Sequence, residues 1–351
     1  MAEIDRILQA AVQARASDVH LATGNPVVIR QFGSLKRLKS PDISAEKSRQ
    51  LIEEILSPSQ RKLVEQNLQL DFSYDLKGIA RFRGNVIVQK RGMDATFRII
   101  PLRVPTLDEL GLPPVVKKFC DFHQGLILVT GATGHGKSTT LAAIVDFINS
   151  NRPAHVLTIE DPIEFIHPIK KGVVNQRQVG LHTRSFANAL RQVLRQDPDV
   201  IMVGEMRDLE AIELALTASE TGHVVLATLS TSSGPKTVDR IIDSFPSDKQ
   251  NQIRTMLGES LRAVITQRLL PKADGTGLVL ACEIMVGTVP LANLIRTEKT
   301  YQIPSIMQTG KSAGMQSMDD AITELYEKKL ISWDVAFYNA ENKKRFSSIK
   351  K

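Results

Sequence analysis

The chain has 351 residues, 42% hydrophobic and 24% charged, which suits an ordinary globular protein of about two domains. No apolar run reaches the ~18 residues of a membrane span, and Met1–Gln9 lacks a signal-peptide pattern. Two distant cysteines, Cys120 and Cys282, exclude a disulfide framework and point to buried, reduced thiols. The formal net charge of +7 admits nucleic acid, an anionic membrane surface or an acidic partner. Aromatics are only 5% and no basic run is interleaved with them, so single-strand stacking platforms are not indicated. The densest basic cluster, Lys343, Lys344, Arg345, Lys350 and Lys351, reads as a solvated end.

Ile4, Ile7, Leu8, Ala11 and Val12 fall on one face of a helix over Ile4–Arg15. Short β-like runs follow at 17–21 and 26–30. Glu46–Leu56 and Ser57–Asn67 read as helices, the second N-capped by Ser57 ahead of Pro58. Strands are expected at Phe72–Leu76, Ala80–Gln89 and Asp94–Ile100, completing an α+β module over residues 1–102. Within it Arg81, Arg83, Arg91 and Arg98 stand out, and Arg81 and Arg83 share a strand face. Two readings stay open there: a solvated strand face, or guanidinium groups presented to a nucleotide bound elsewhere. Pro105, Pro113 and Pro114 then mark residues 103–117 as a stiff connector.

The most informative stretch is Gly131-Ala132-Thr133-Gly134-His135-Gly136-Lys137-Ser138-Thr139-Thr140. An apolar strand, Leu126–Val129, enters it and a helical pattern, Leu141–Ile148, leaves it. Strand, Gly-x-x-x-x-Gly-Lys-Ser, helix is the phosphate-binding loop in its required setting. Glycines let backbone N–H groups turn around phosphate oxygens, and the helix N-terminus adds its positive end. Lys137 reaches the β- and γ-phosphates and Ser138 supplies a hydroxyl to Mg²⁺, so the chain is expected to bind ATP with Mg²⁺. Thr133, Gly134, His135, Gly136 and Thr139 complete the nucleotide-binding set.

After this loop, His155–Ile159 reads as a strand ending in Glu160-Asp161-Pro162-Ile163-Glu164. Carboxylates there suit Mg²⁺ or an attacking water, against the plain alternative of a charged turn. Ser185–Leu194 has a helical pattern broken at Asp197-Pro198-Asp199. Val200–Val203 is a buried strand delivering Gly204-Glu205-Met206-Arg207-Asp208, the shape of the second nucleoside-triphosphatase motif. Gly204 replaces its usual Mg²⁺-binding Asp, which leaves Glu205 to act alone or through water. Leu209–Ser219 reads as a helix and Thr221–Ser230 as a core strand entered by His223, whose type permits either a packed or a catalytic role. Val238–Phe245, Lys249–Arg268, Val279–Val286 and Met318–Lys328 then alternate helix, strand and helix, with no internal repeat.

Taken in order, Ala16-Ser17-Asp18-Val19-His20-Leu21, Ala80-Arg81-Phe82-Arg83, the phosphate loop, 158–165, 197–208, 221–229, 293–296, 306–310 and 314–316 identify a family. The chain resembles the type IV pilus retraction ATPases of the secretion ATPase superfamily over nearly its whole length. The resemblance implies an α/β protein: a PAS-like N-terminal α+β domain (1–102), a linker (103–117), then a RecA-like P-loop NTPase domain with a C-terminal helical part (118–351). It implies a homohexameric ring motor with ATP between the domains, cytoplasmic and peripheral at the inner face of the membrane. Its partners would be an inner-membrane pilus platform protein and other pilus ATPases, with no nucleic acid. By likeness Lys137 and Ser138 hold phosphate and Mg²⁺, Glu164 is the general base, and Glu205 is the second acidic motif and a metal ligand. His223 belongs to the histidine motif, and Arg81, Arg98 and Arg207 stabilise γ-phosphate charge.

Three departures follow. Ser230 stands where the family has a second histidine, and a hydroxyl cannot become cationic as imidazole does. Val289–Thr297 keeps the apolar face of a C-terminal element but loses an arginine and a glutamate. His135 replaces a small residue, with its side chain expected to point outward. Two rival readings therefore remain: a weakly hydrolysing structural partner of the pilus machinery, and a nucleic-acid translocase.

Overall fold

The computed structural model describes residues 2–206 and 208–347. Expectations for Arg207, Lys350 and Lys351 fall outside them. The chain forms two compact units, one of Met1–Arg103 with Pro162–Ile166, the other of Val104–Asp161 with His167–Lys351.

In the first unit the elements are α1 (Glu3–Gln13), β1 (Asp18–Leu21), β2 (Val28–Gln31), β3 (Ser34–Arg37), α2 (Ala45–Glu53) and α3 (Pro58–Asn67). β4 (Gln69–Leu76), β5 (Ala80–Gln89) and β6 (Gly92–Ile100) complete it. The six strands form one antiparallel sheet in the order β3-β2-β1-β6-β5-β4. Strand period 2 divides β5 cleanly. Ala80, Phe82 and Val86 are buried among Ile4, Leu8, Ile52 and Phe97, so Arg81 and Arg83 share the other face. Ser57 caps α3 by accepting from the Gln60 amide, with Pro58 at its first turn. The edge strand β3 carries no sequence signal because all four of its residues are exposed.

The second unit opens with α4 (Val115–Phe119). Val104, Leu107, Leu112 and Val116 are buried, so most of the proline-rich stretch packs within this unit. Then come β7 (Gly125–Thr130), α5 (Lys137–Asn151), β8 (His155–Glu160), β9 (Val173–Gln178), α6 (Phe186–Val193), β10 (Val200–Val203), α7 (Leu209–Glu220) and β11 (Val224–Leu229). They are followed by α8 (Gly234–Asp243), α9 (Ser247–Ser260), β12 (Leu261–Pro271), β13 (Leu278–Val286), α10 (Val289–Arg296), α11 (Ile303–Thr309), α12 (Met318–Glu327), α13 (Trp333–Asn339) and α14 (Lys343–Ser347). The stretch 249–268 read from sequence thus divides between α9 and β12. The β-branched run Val264-Ile265-Thr266 favours the extended half.

The sheet runs β13-β12-β7-β11-β10-β8-β9. All pairs are parallel except β12 with β13. Leu126–Val129 are wholly buried, as central strands of a covered parallel sheet require, each worth ~1.5–3 kcal/mol of burial. α5 buries Leu141–Val145 and Ile148, as a helix enclosed on several sides does. In α10 the retained apolar face, Leu291, Leu294 and Ile295, packs into the core, while Val289 is exposed. Both cysteines are buried, and burial pushes each thiol up to about 12.

Candidate active site

The phosphate loop leaves the carboxyl end of β7 and becomes α5. Gly131 has φ 141°, and a Cβ there would lie 2.5 Å from the Gln267 carbonyl oxygen, so backbone conformation and space both demand glycine. Gly136 caps α5 in the left-handed region, φ 81°. The first amides of a helix have no intrahelical acceptor, so this turn is suited to an anion. The Lys137 ammonium donates to the carbonyls of Gly131 (2.9 Å) and Ala132 (3.2 Å). Burial lowers its pKa from the ordinary lysine value, partly opposed by the Glu205 carboxylate. Thr133, Gly134 and Ser138 are exposed. His135 departs from the outward orientation expected of it, because its Nδ1 accepts from the Leu269 amide of β12 at 2.8 Å.

Neighbouring strands add groups at the same end. Leu229 of β11 is level with Thr130 of β7, which places Ser230 beside the start of the loop. The Ser230 hydroxyl donates to Glu205 Oε1 at 3.2 Å, and the Thr228 hydroxyl donates to the Gly204 carbonyl at 2.6 Å. A Cβ at Gly204 would begin 3.3 Å from the Ile159 carbonyl oxygen and 3.4 Å from Glu160 Cα, too tight to admit the Asp usual in this motif without movement. Glu160 is buried, accepting from the Thr158 hydroxyl (2.6 Å) and the Gln176 amide (3.1 Å). It is a structural carboxylate that its exposed-looking sequence setting conceals.

His223 is not brought to the phosphate loop of its own chain. It precedes Val224, which pairs with Gly125, so it stands at the amino end of the sheet. The six-residue strand separates it by roughly 20 Å from the phosphate loop of its own chain. Its Nδ1 lies 3.1 Å from the Ala218 carbonyl and 3.4 Å from the Thr221 hydroxyl, which is a packed role.

The N-terminal unit gathers the arginines on one sheet face. Pairing registers align Leu35, Arg30, Asp18, Arg98, Arg83 and Ser73 in a row across the six strands. Asp18, 7% exposed, accepts from Arg98 Nε at 3.0 Å and from the Ser17 hydroxyl at 2.9 Å, with Arg30 Nε at 4.0 Å. Arg83 pairs directly opposite Arg98, a like-charge juxtaposition in which each guanidinium faces a carboxylate, Glu164 and Asp18. Within the same unit Glu164 Oε1 lies 3.7 Å from Arg83 Nη1, and Arg81 Nη1 is 3.2 Å from Asp75 Oδ1. Arg91 sits on the exposed β5–β6 turn. Sequence reasoning used Asp18 only as part of the stretch 16–21 and gave it no role, because its partner Arg98 stands 80 positions away.

A family model described as "Type II/IV secretion system protein" matches residues 1–336. The chain is 48% identical over 344 residues to the "Type IV pilus retractation ATPase PilT" of Pseudomonas aeruginosa, covering 98% of this chain and 100% of that protein. It is 48% identical over 336 residues to a "Twitching motility protein" of Neisseria gonorrhoeae, covering 96% and 90%. Among solved structures, "Crystal Structure of the Pilus Retraction Motor PilT and Bound ADP" superposes with a TM-score of 0.88 at 43% identity, covering 99% of each chain.

Proposed function

This chain belongs to the type II/IV secretion system protein family, and from that premise we propose that it is the ATP hydrolase of a motor that retracts type IV pili and so drives twitching motility. One observation carries the reading. A glycine-shaped loop, the Lys137 amine and the Glu205 carboxylate meet at the carboxyl end of a parallel sheet, the place where such sheets take ligands. ATP is the substrate.

In this reading the amides of 133–139 and the Lys137 ammonium hold the phosphates, and bound nucleotide draws the amine off the Gly131 and Ala132 carbonyls. Ser138 and Glu205 would hold Mg²⁺, which supplies Lewis-acid charge neutralisation when bound. The donor set fits, since Ser138 is exposed at the head of α5. Among the described residues no cluster of three or more His, Cys, Asp or Glu forms a self-sufficient cage, and Mg²⁺ beside phosphates needs only one or two side chains. Glu164 orients the water and takes its proton. Arg81, Arg98 and Arg207 are assigned to developing γ-phosphate charge, with Asp18 orienting Arg98.

We further assign a homohexameric assembly with a PAS-like N-terminal domain and a RecA-like ATPase domain. Its place would be cytoplasmic and peripheral at the membrane, beside an inner-membrane platform protein. Among the described residues no helix is long and apolar enough to cross a membrane.

Phosphate release from ATP with Mg²⁺ tests the reading. Lys137→Ala is expected to abolish nucleotide binding and lower turnover by ~10²-fold or more, and an unchanged rate would overturn it. A second reading, a weakly hydrolysing partner, draws on Ser230: its hydroxyl engages Glu205 where an imidazole would offer charge. Turnover near zero in the wild-type chain, with ADP binding intact, would favour it.

A further inference from the structure

We infer that His135 is a positioning residue: its imidazole accepts the Leu269 amide and pins the phosphate loop to β12 before nucleotide arrives. The inference rests on the ATP-site reading above and adds a control on affinity to it.

The argument begins at the edge of a strand. β7 pairs with β12 only as far as Thr130 opposite Thr266, whereas β12 continues to Pro271. Beyond Thr266, β13 still lines one edge of β12, and on the edge that β7 has left the Leu269 amide finds its partner in the loop. Thr130 and Thr266 share a hydroxyl–hydroxyl bond of 2.9 Å. Gly131 lies flat against the Gln267 carbonyl, closer than any Cβ permits. The Gln267 side-chain amide donates to the Thr140 hydroxyl at 2.8 Å, fixing the first turn of α5. Two residues further on, Leu269 presents its amide, and His135, in the middle of the loop, meets it at 2.8 Å. Thus β12 contacts the loop before, within and after its phosphate-binding turn.

An imidazole nitrogen that accepts carries no proton, so this ring is neutral with its hydrogen on Nε2. Burial first, then the nearby positive charges of Arg268 and Lys137, lower its pKa and favour that form. A side chain as short as serine ends before the place of Nδ1 and leaves the Leu269 amide without it. Without the anchor the Leu269 amide loses its partner and the loop samples other shapes. Apparent affinity then falls in proportion to the population that retains the binding shape. A net hydrogen bond of ordinary strength corresponds to about a fivefold change.

The test uses the full-length chain with ADP as the probe, titrated by calorimetry, beside amide exchange resolved at Leu269. His135→Ser is expected to weaken ADP about fivefold and to speed exchange at Leu269, with the kinetic loss appearing in KM. His135→Asn, whose amide oxygen occupies the place of Nδ1, is expected to restore both. Equal affinities in the wild type and His135→Ser would overturn the inference, as would an Asn variant as weak as the Ser variant. Should the Ser variant fold poorly, the wild type still decides: a Leu269 amide exchanging as fast as open chain refutes the anchor. Lys137→Ala separates the two claims. If it leaves ADP affinity unchanged, the ATP-site reading fails and this inference with it. If it abolishes binding while His135→Ser does nothing, only the anchor falls.

Discussion

At the carboxyl ends of β7, β10 and β11 stand Gly131, Gly204 and Ser230, while at the amino ends of β8 and β11 stand His155 and His223. By residue type the second group looks richer in chemistry. Its polar atoms are nonetheless taken up by near neighbours. The His155 amide donates to Asp199 Oδ2 at 2.7 Å, its Nε2 lies 2.9 Å from Asn175 Nδ2, and His223 faces the Ala218 carbonyl. At the carboxyl end the groups that converge on the loop include a lysine, hydroxyls, glycine-exposed amides and the Glu205 carboxylate. In a parallel sheet, strand direction decides which polar residue meets a ligand.

The strongest way to break this contrast is at the acidic turn beyond the carboxyl end of β8. Glu164→Gln keeps shape and hydrogen bonding but removes the proposed base, and kcat in phosphate release is expected to fall ~10²–10⁴-fold. ADP affinity should be retained. A rate within about twofold of wild type would remove Glu164 from the chemistry.

A second test concerns a buried acid on the same level of the sheet. Glu283 pairs with Thr266 and accepts from the Gly234 amide at 2.6 Å, holding the N-terminus of α8 just after the Ser230 segment. Burial, with help from the Glu341 charge, pushes its pKa up to about 7, against downward pulls from the Gly234 and Met318 amides and Arg268. Its folded value lies above the unfolded one, so the fold binds the extra proton, and stability falls as pH rises from about 4.5 to about 7. The span corresponds to roughly 3 kcal/mol. His167, lowered to about 4 by burial, slopes the other way, losing stability as pH falls from 6.5 to about 4. The difference between wild type and Glu283→Gln in denaturant midpoints across pH isolates the carboxyl. Parallel curves for the two proteins would refute the assignment.

The smallest effects compare the two ends of one strand. Ser230→Ala frees Glu205 from its hydroxyl partner and is expected to change kcat about fivefold. His223→Ala is expected to leave kcat and KM within about twofold. The reverse order would place the chemistry at the wrong end of β11.

The loop 131–136 was legible because its residues are consecutive and its flanking strand and helix announce themselves locally. Arg81 and Arg83 were legible as a shared face for the same reason, period 2 along one strand. What lay beyond reach came from pairings. The place of His223 depends on β11 lying parallel to β7, which no local pattern reveals. Asp18 acquires meaning only when β1 meets β6, and His135 only when Leu269 arrives from 134 positions away. Near the join between α9 and β12 the one turn signal, Gly258, lies inside the helix and packs against the Ala292 carbonyl and Arg296, so it serves close packing and does not mark the boundary.

Pro162–Ile166 counts with the N-terminal unit although the chain on both sides of it belongs to the other, so the polypeptide is stitched between its units three times. A single proteolytic nick after Arg103 would therefore not free one unit from the other. Glu164 therefore keeps its place beside Arg83 within the N-terminal unit, so two side chains 81 positions apart in sequence are held by one body and share its fate on unfolding.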